Sequence, residues 1–459
     1  MMRPLTLAEL VAPLQAQLIG PDREFRGVCT DSRKVRPGEL FVALRGENFD
    51  GHDFLGQVAA AGAVAALVSN VADLALSQLR LADTQRGLGL LGAYNRALYQ
   101  GPLVAITGSS GKTTVKNMVR AVLAQAGRTL ATEGNLNNEI GVPLTLLALE
   151  PGVEFAVVEM GAGKGGDIAW LCELGRPTVA LLVNAMPAHL QGFGSVDDVA
   201  AAKGEIFDGL GRGDCAVINA DQPWAQAWRA RAGDATVFDF SLVGPAAVTA
   251  TAVQADGVRG TGFTAITPRG EQQIWLYLPG AHNVANALAA IATGLACGLE
   301  LEQIGAGLET VRPTPGRLAA TAAPGGATVI DDCYNANPGS VRAAIDMLAG
   351  CEGRRTLVLG AMLELGPTSE ALHRAIGGYA RAAGIDRFWG VGPELQDAVS
   401  EFGSGGRWFA DCETAVGALG GEYGPDDTVL IKGSRSTRME RVLQALLAAV
   451  PAGEGGTCC

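Results

Sequence analysis

The chain has 459 residues, which is more than one hydrophobic core usually organises, so we expect two to four domains. Hydrophobic residues make up 48% and charged residues 18% of the chain, which is typical of soluble globular proteins. The formal net charge of −12 argues against broad binding to nucleic acid or to an anionic membrane surface. An anionic ligand would therefore need a local cationic site.

The N-terminal segment LTLAELVAPLQAQLIG is interrupted by polar residues in the manner of an amphipathic helix, and no signal peptide is predicted. The most apolar stretch, residues 55–72, is rich in alanine and too short in bulky apolar residues for a transmembrane segment. We predict a helix followed by a buried strand there. Nine cysteines without a C-x-x-C pair indicate reduced thiols in a cytoplasmic protein.

Patterning along the chain predicts three α/β domains. Residues 1–83 are turn-rich with mixed helix and strand signals, and residues 84–314 alternate apolar strands with amphipathic helices. Two prolines and a glycine in VRPTPGRLAA predict a linker, after which the alternation resumes and gives a third domain over residues 315–459. Such alternation predicts parallel sheets with ligands at the carboxyl ends of the strands.

The predicted central domain begins with a helical stretch over residues 84–100, which leads into a strand at residues 103–106. The other predicted strands are 154–160, 177–184 and 214–220, followed by a β-rich segment at 241–278 and a helix at 281–298.

The stretch TGSSGKTT follows the strand PLVAI and has the composition of a phosphate-binding loop. A glycine-rich turn between a strand and a helix presents backbone N–H groups and a helix N-terminus to phosphate oxygens. Lys112 would reach the terminal phosphates, and the Thr113 hydroxyl would bind Mg²⁺. The common nucleotide loop places a glycine where this chain has Ile106. The loop is therefore a damaged loop, a chance turn or a shorter form.

Further polar residues lie where strands end. Glu159 closes the predicted strand FAVVE and is well placed to bind a nucleotide-bound metal ion, although a solvated carboxylate is the alternative. The segment TEGNLNNEIGVP carries Asn135, Asn137 and Asn138, which are suited either to a turn or to a binding cleft.

Two further candidates follow the next strand. His189 comes after VALLVN, at the sheet edge where Glu159 is expected. Lys203 lies on a predicted helix, where a solvated lysine would be the ordinary interpretation.

Taken together these stretches resemble the Mur ligase family over nearly the whole chain. The loop of that family is the short form TGxxGK[ST], so Ile106 fits it. The resemblance implies an ATP-dependent amide-forming enzyme with a UDP-substrate domain, a central ATPase domain and a C-terminal Rossmann-like domain that brings the incoming amino acid or dipeptide.

Within the family the stretches are most similar to those of members that join D-alanyl-D-alanine to UDP-N-acetylmuramoyl-tripeptide. These stretches are DSRKVRPGELFVALRGENFDGHDF, TEGNLNNEIGVPLTLL, AHLQGFGSVDDVAAAKGEIF, DDCYNANPGS and IKGSRSTRME. The implied reaction passes through an acyl phosphate and releases ADP and phosphate. The implied product is the pentapeptide precursor of peptidoglycan, made by a cytoplasmic monomer, with the third peptide residue being lysine or diaminopimelate.

The resemblance also implies residue roles. Residues of the ATP site are Gly108, Ser109, Ser110, Gly111, Lys112, Thr113, Thr114, Asn283, Asn286, Arg317 and Asp331. Two magnesium ions are implied, one held by Thr113 and the other by Glu159, His189 and a carbamylated Lys203. Lys112, Lys203, His189 and Glu159 are the implied catalytic residues. Substrate-binding residues are Asp31, Ser32, Arg33, Asn135, Asn137 and Asn138.

One departure and two alternatives stand beside this reading. Ala361 replaces the acidic residue of the relatives' LGDMxELG, so the role of that carboxylate is in doubt. A related ligase, such as a folylpolyglutamate synthase or the tripeptide-forming Mur ligase, would share the loop but not DDCYNANPGS. A nucleotide-dependent switch protein would share only the loop.

Overall fold

The structure is a computed structural model that describes residues 3–188, 190–419 and 423–448. Within these residues the chain forms three α/β units in succession, each with its own main sheet, as the alternation of strands and helices predicts. None of the helices in these ranges has the length and the apolar character needed to span a lipid bilayer.

The first unit is a small mixed sheet with two short helices. Its strands are β1 (Leu5–Thr6), β2 (Gln17–Ile19), β3 (Glu24–Phe25), β4 (Val28–Cys29), β5 (Leu40–Val42), β6 (Ala65–Val68) and β7 (Ser77–Arg80). Its helices are α1 (Leu7–Leu14) and α2 (Leu55–Ala60). The main sheet has the order β2-β7-β6-β5-β4, in which only β2 runs antiparallel. The predicted helix and buried strand within residues 55–72 are α2 and β6.

The central unit is the largest. Its strands are β8 (Leu103–Thr107), β9 (Thr129–Ala131), β10 (Phe155–Glu159), β11 (Val179–Leu182), β12 (Cys215–Asn219), β13 (Thr236–Phe240), β14 (Thr249–Ala255), β15 (Thr261–Thr267) and β16 (Gly270–Leu276). Its helices are α3 (Thr84–Leu98), α4 (Lys112–Leu123), α5 (Gly141–Leu147), α6 (Asp167–Gly175), α7 (Leu190–Phe193), α8 (Val196–Gly204), α9 (Ala225–Arg231), α10 (Ala281–Ala296) and α11 (Leu301–Glu309).

The central sheet is six-stranded, entirely parallel and covered on both faces. Its order is β13-β12-β11-β8-β10-β9, and every residue of β8 is buried, as the continuous apolar run predicts. Helices α4, α10 and α11 cover one face, and α5, α6 and α8 cover the other. The neighbouring strands β11, β8 and β10 therefore end side by side at one edge. Strands β14, β15 and β16 form a separate antiparallel sheet.

Helix α3 joins the first two units. Its Leu88 and Leu91 belong to the apolar core of the first unit, whereas its Asn95 and Arg96 bond to the central unit. The Asn95 amide donates to the carbonyls of Leu146 and Leu149, at the C-terminal end of α5. Because α3 contributes to both units, the boundary between residues 83 and 84 stays a prediction, as does the one between 314 and 315.

The third unit repeats the strand and helix alternation. Its strands are β17 (Ala319–Ala322), β18 (Thr328–Asp332), β19 (Arg354–Gly360), β20 (Arg387–Val391), β21 (Gly406–Phe409) and β22 (Asp427–Lys432). Its helices are α12 (Pro338–Ala349), α13 (Ser369–Ala382), α14 (Gln396–Phe402), α15 (Cys412–Leu419) and α16 (Glu440–Ala448). The sheet order is β17-β18-β22-β19-β20-β21, with only β17 antiparallel. At the start of α12, Asn337 and Ser340 form a reciprocal capping box.

Direct backbone contact between α11 and α4 generates a stability prediction. A Cβ atom added at Gly307 would lie 2.6 Å from the Cα of Val122 and 2.7 Å from the carbonyl oxygen of Ala121. We expect Gly307→Ala to lower the free energy of unfolding by about 2–3 kcal/mol, because α11 must move away from α4. Chemical denaturation measures the loss. Gly209→Ala, whose Cβ meets nothing within 4 Å, is the control and should change it little. Equal stability of the two variants would contradict the packing.

Candidate active site

A cavity of about 540 Å³ lies where the central and third units meet. It is bounded by the loop after β8, the loop after β9, the start of α10, and the segment from the end of β18 into α12. Predicted site residues that line it are Ser109, Ser110, Gly111, Lys112, Thr113, Thr114, Asn135, Asn137, Asn138, Glu159, Asn283, Asn286 and Arg317. The structure thus brings candidates from separate parts of the sequence to one site.

The glycine-rich loop has the geometry of a phosphate cradle. Gly111 immediately precedes α4 with φ +79°, a left-handed conformation that glycine adopts without strain. A Cβ there would lie 2.9 Å from Oδ1 of Asn286, so any larger residue would have to displace that side chain. The Ser110 N–H donates to Oδ1 of Asn184 at 3.0 Å, which ties the loop to the segment after β11.

Lys112 carries a positive charge into this cradle. Its ammonium donates to the carbonyl oxygen of Gly108 at 2.6 Å, across the turn. Burial lowers the pKa of Lys112, while the Glu159 carboxylate opposes that shift and Arg317 adds to it. A partly buried cation whose charge is only partly balanced by a carboxylate is stabilised by an incoming anion, such as a phosphate group.

Glu159, at the end of β10, is held by three hydrogen bonds. Its Oε2 accepts from the Thr113 hydroxyl at 2.9 Å, and its Oε1 accepts from the Asn137 amide at 2.8 Å. The hydroxyl of Thr132 accepts the Glu159 N–H at 3.0 Å. The Arg317 guanidinium donates to the Thr113 hydroxyl at 3.0 Å. A carboxylate and a hydroxyl therefore lie together beside the phosphate loop.

Lys203 is almost completely buried, which overturns the ordinary expectation of a solvated lysine on a helix. Its side chain is 1% exposed, and its ammonium lies 5.9 Å from the centre of the Phe193 ring. In the described part of the chain it has no hydrogen-bond or carboxylate partner. Burial, reinforced by the charge of Lys112, lowers the pKa of Lys203 to about 7. A large fraction of this side chain is thus a neutral amine at neutral pH.

His189 lies outside the described residues, so its expected place beside Glu159 and Lys203 stays a prediction. Across the described ranges the structure shows no cluster of three or more histidine, cysteine, aspartate or glutamate side chains suited to a metal ion.

Asn283 and Asn286 lie on the first two turns of α10. The Asn286 amide donates to Oδ1 of Asn283 at 3.1 Å, and the Asn283 amide donates to the carbonyl of Pro279 at 2.8 Å. Both side chains are buried and line the cavity. They form a neutral, hydrogen-bonding wall next to the phosphate loop.

The two aspartates of DDCYNANPGS have different positions. Asp331 accepts N–H groups from Gly316 at 2.7 Å and Cys333 at 3.1 Å, and is not among the described residues that line the cavity. Asp332 does line it, and pairs with the Lys432 ammonium at 2.6 Å. Sequence reasoning missed Asp332 and Lys432, although the doubled aspartate and the lysine ending a strand in IKGS were available signals.

The candidates of the first unit do not reach this cavity. Asp31 forms an ion pair with Arg33 at 2.8 Å, and the Arg33 side chain is 81% exposed. Neither they nor Ser32 are among the cavity-lining residues that the structure describes. Ala361, in place of an acidic residue, is buried, and its carbonyl accepts the Ser434 N–H at 3.0 Å.

Three protein-family models match successive parts of the chain. The model for the Mur ligase middle domain matches residues 106–294, and that for the Mur ligase, glutamate ligase domain matches residues 316–435. A third model, described as Mur ligase family, catalytic domain, matches residues 24–86. The chain belongs to the Mur ligase family.

Individual Mur ligases match over nearly the full length. The UDP-N-acetylmuramoyl-tripeptide--D-alanyl-D-alanine ligase of Escherichia coli (strain K12) is 46% identical over 457 residues, with 99% of each chain covered. The protein of the same name from Haemophilus influenzae is 38% identical over 457 residues, covering 96% of this chain and 98% of that one.

Solved Mur ligase structures share the whole fold. A crystal structure of MurF from Acinetobacter baumannii superposes with a TM-score of 0.92 at 34% identity, covering 97% of this chain and 99% of that one. The crystal structure of MurF from Thermotoga maritima in complex with ADP superposes with a TM-score of 0.83 at 27% identity. The match covers 93% of this chain and 98% of that one. The predicted three-part α/β fold and the family resemblance are confirmed.

The conformation of Gly111 generates a binding prediction. We expect Gly111→Ala to weaken ADP binding at least about tenfold, because the methyl group strains the backbone and displaces Asn286. Isothermal titration calorimetry measures the dissociation constant. Gly213→Ala is the matched control, since Gly213 also has a positive φ, of +98°, but its Cβ meets nothing within 4 Å. Equal loss of ADP binding in the two variants would contradict a specific role for the loop.

Proposed function

We propose that this protein joins D-alanyl-D-alanine to UDP-N-acetylmuramoyl-tripeptide at the expense of ATP, forming UDP-N-acetylmuramoyl-pentapeptide for peptidoglycan synthesis. The observation that carries the proposal is the shared cavity, in which the phosphate loop of the central unit faces the DDCYNANPGS segment of the third unit. Relatives that bear this activity in their names match 99% of the chain at 46% identity and 96% at 38%.

The reaction has two steps. An oxygen of the tripeptide's terminal carboxylate attacks the γ-phosphorus of ATP, the bond to the bridging oxygen breaks, and ADP leaves. The neutral amine of the dipeptide then attacks the carbonyl carbon of the acyl phosphate. The resulting tetrahedral intermediate loses its amine proton to solvent and expels inorganic phosphate, which leaves the new amide bond.

Charge compensation is the main demand of the first step, because both reactants are anions. Lys112 lies in the phosphate cradle and Arg317 lies beside Thr113, so both guanidinium and ammonium donors would face the transferring group. Asn283 and Asn286 would bind the adenine side of the nucleotide. We retain Asp331 as a residue of the nucleotide site that acts from the linker, since it orders the turn at Gly316 that precedes Arg317.

The chemistry of Thr113 and Glu159 fits magnesium. A protein site for Mg²⁺ commonly supplies one or two oxygen ligands and leaves the rest to water and phosphate, which suits a carboxylate and a hydroxyl 2.9 Å apart. When bound, two magnesium ions would supply positive charge to the phosphate oxygens. Thr113 would hold the nucleotide-bound ion, and Glu159, His189 and a modified Lys203 would hold the second.

Lys203 fits carbamylation because its pKa of about 7 leaves much of it as a nucleophilic amine. The neutral nitrogen would form a bond to the carbon of CO₂ and release one proton, which converts the buried amine into a carboxylate-like group. That group supplies the oxygen ligand that a lysine lacks.

The remaining assignments follow the same proposal. We assign residues 1–83 to UDP-substrate binding, with Asp31, Ser32 and Arg33 at the uridine nucleotide, residues 84–314 to ATP binding and residues 315–459 to dipeptide delivery. Asn135, Asn137 and Asn138 would bind the peptide substrate beside Glu159. We further propose a cytoplasmic monomer, and the seven cysteines among the described residues are all free thiols.

The decisive experiment measures product and phosphate together. We expect the protein with ATP and Mg²⁺ to release phosphate only when both UDP-N-acetylmuramoyl-tripeptide and D-alanyl-D-alanine are present, and the product mass to be that of the pentapeptide. The lysine and diaminopimelate tripeptides are assayed in parallel. Phosphate release that ignores both co-substrates would refute the proposal, and addition of a single amino acid instead of the dipeptide would indicate a different ligase.

Variants of Lys203 test the carbamate. We expect Lys203→Ala to lose at least about a thousandfold in kcat, with partial recovery when a short-chain carboxylate such as acetate or propionate is added. Lys203→Arg retains a cation but cannot carry a carbamate or leave space for the added acid, so we expect an inactive variant without rescue. Full activity of either variant without added acid would rule the carbamate out.

A further inference from the structure

A chain of contacts links the phosphate loop to the third unit through the segment after β11. The hydroxyl of Ser109 donates to the carbonyl oxygen of Met186 at 3.2 Å and accepts the Met186 N–H at 3.0 Å. This pair of bonds fixes the backbone of Met186 to the loop. The thioether of Met186 then reaches across the cavity to the other unit.

The thioether of Met186 packs against Gly339, in the first turn of α12. A Cβ atom added at Gly339 would lie only 2.4 Å from Sδ of Met186 and 3.4 Å from its Cγ. The backbone of Gly339 does not itself require glycine, because its φ is not positive. The close approach of Met186 is therefore the observation that explains glycine at this position.

The first turn of α12 belongs to the part of the cavity that faces the phosphate loop. Asn337 caps this turn, and Asn337, Gly339 and Ser340 all line the cavity together with Met186 and Ser109. A weaker hydrogen bond also joins the central and third units. The Gln191 N–H, from the same segment, donates to the carbonyl oxygen of Glu364 at 3.4 Å. The segment after β11 is thus a docking surface for the third unit.

We propose that Met186 and Gly339 form a positioning contact that couples the state of the phosphate loop to the docking of α12. Ser109 fixes Met186, and the Met186 thioether sets how closely the first turn of α12 approaches the transferring phosphate. Neither residue touches the reacting atoms in this role. The inference rests on the proposed ligation, because it assigns α12 to the delivery of the incoming dipeptide.

A double-mutant cycle tests the coupling. We expect Gly339→Ala to raise the KM for D-alanyl-D-alanine about tenfold, with the KM for ATP changed less than about twofold, because the methyl group displaces α12 from Met186. Met186→Ala alone should raise the dipeptide KM about threefold, and the Met186→Ala/Gly339→Ala double variant should return it to near the value of Met186→Ala. Gly350→Ala, at the far end of α12, is the control.

A readout without the dipeptide separates this inference from the proposed function. Hydrogen exchange of residues 337–345 is measured with and without a non-hydrolysable ATP analogue. We expect the analogue to protect this segment in the wild type, to protect it less in Gly339→Ala, and to protect it again in the double variant. Failure of the wild type to make pentapeptide would refute the function while this measurement still reports the coupling.

Two outcomes would overturn the positioning contact. One is a Gly339→Ala variant with unchanged dipeptide KM and unchanged exchange protection. The other is a Gly339→Ala defect that persists when Met186 is also alanine, since the methyl group would then act on something else. Thermal melting of all variants identifies a general loss of stability, which would affect the ATP and dipeptide constants alike.

Discussion

The partly buried charge of Lys112 is the constraint on which the rest of the site depends. The ammonium lies in a turn whose backbone carbonyl, at Gly108, is its direct partner, and burial lowers its pKa. Such a cation costs free energy unless an anion compensates it. The parallel sheet makes the position possible, because strands β11, β8 and β10 end side by side and their following loops close around the charge.

The protein itself compensates the positive charge of Lys112 only in part. Glu159 lies on the neighbouring strand, but its two oxygens are already engaged by Thr113 and Asn137. Arg317 adds a second cation from the linker to the third unit, which increases the excess of positive charge beside Thr113. An electrostatic field of this sign attracts an anion even though the net charge of the chain is −12, so the local arrangement overrides the overall balance.

The strands of the central sheet and the phosphate loop could be predicted from the sequence, because local patterns determine them. Continuous apolar runs predicted strands β8 and β10, and the stretch TGSSGKTT predicted the turn and the start of helix α4. Burial of Lys203 could not be predicted in this way, because it depends on which residues pack over α8, including Phe193 from a different helix. The position of Asp332 at the cavity had the same limit: alternate residues of a strand face opposite sides, and only the tertiary structure shows which side meets the cavity.

The proposed chemistry requires opposite charge states of Lys112 and Lys203, and the proximity of the two side chains favours the neutral state of Lys203. A phosphate ligand requires Lys112 as a cation, whereas reaction with CO₂ requires Lys203 as a neutral amine. The charge of Lys112 disfavours a second ammonium nearby and contributes to the lowered pKa of Lys203. In the proposed carbamylated form of Lys203, the interaction between the two side chains would change from repulsion to attraction. The nearby cation that destabilises Lys203 as an ammonium would therefore stabilise the proposed carbamate anion.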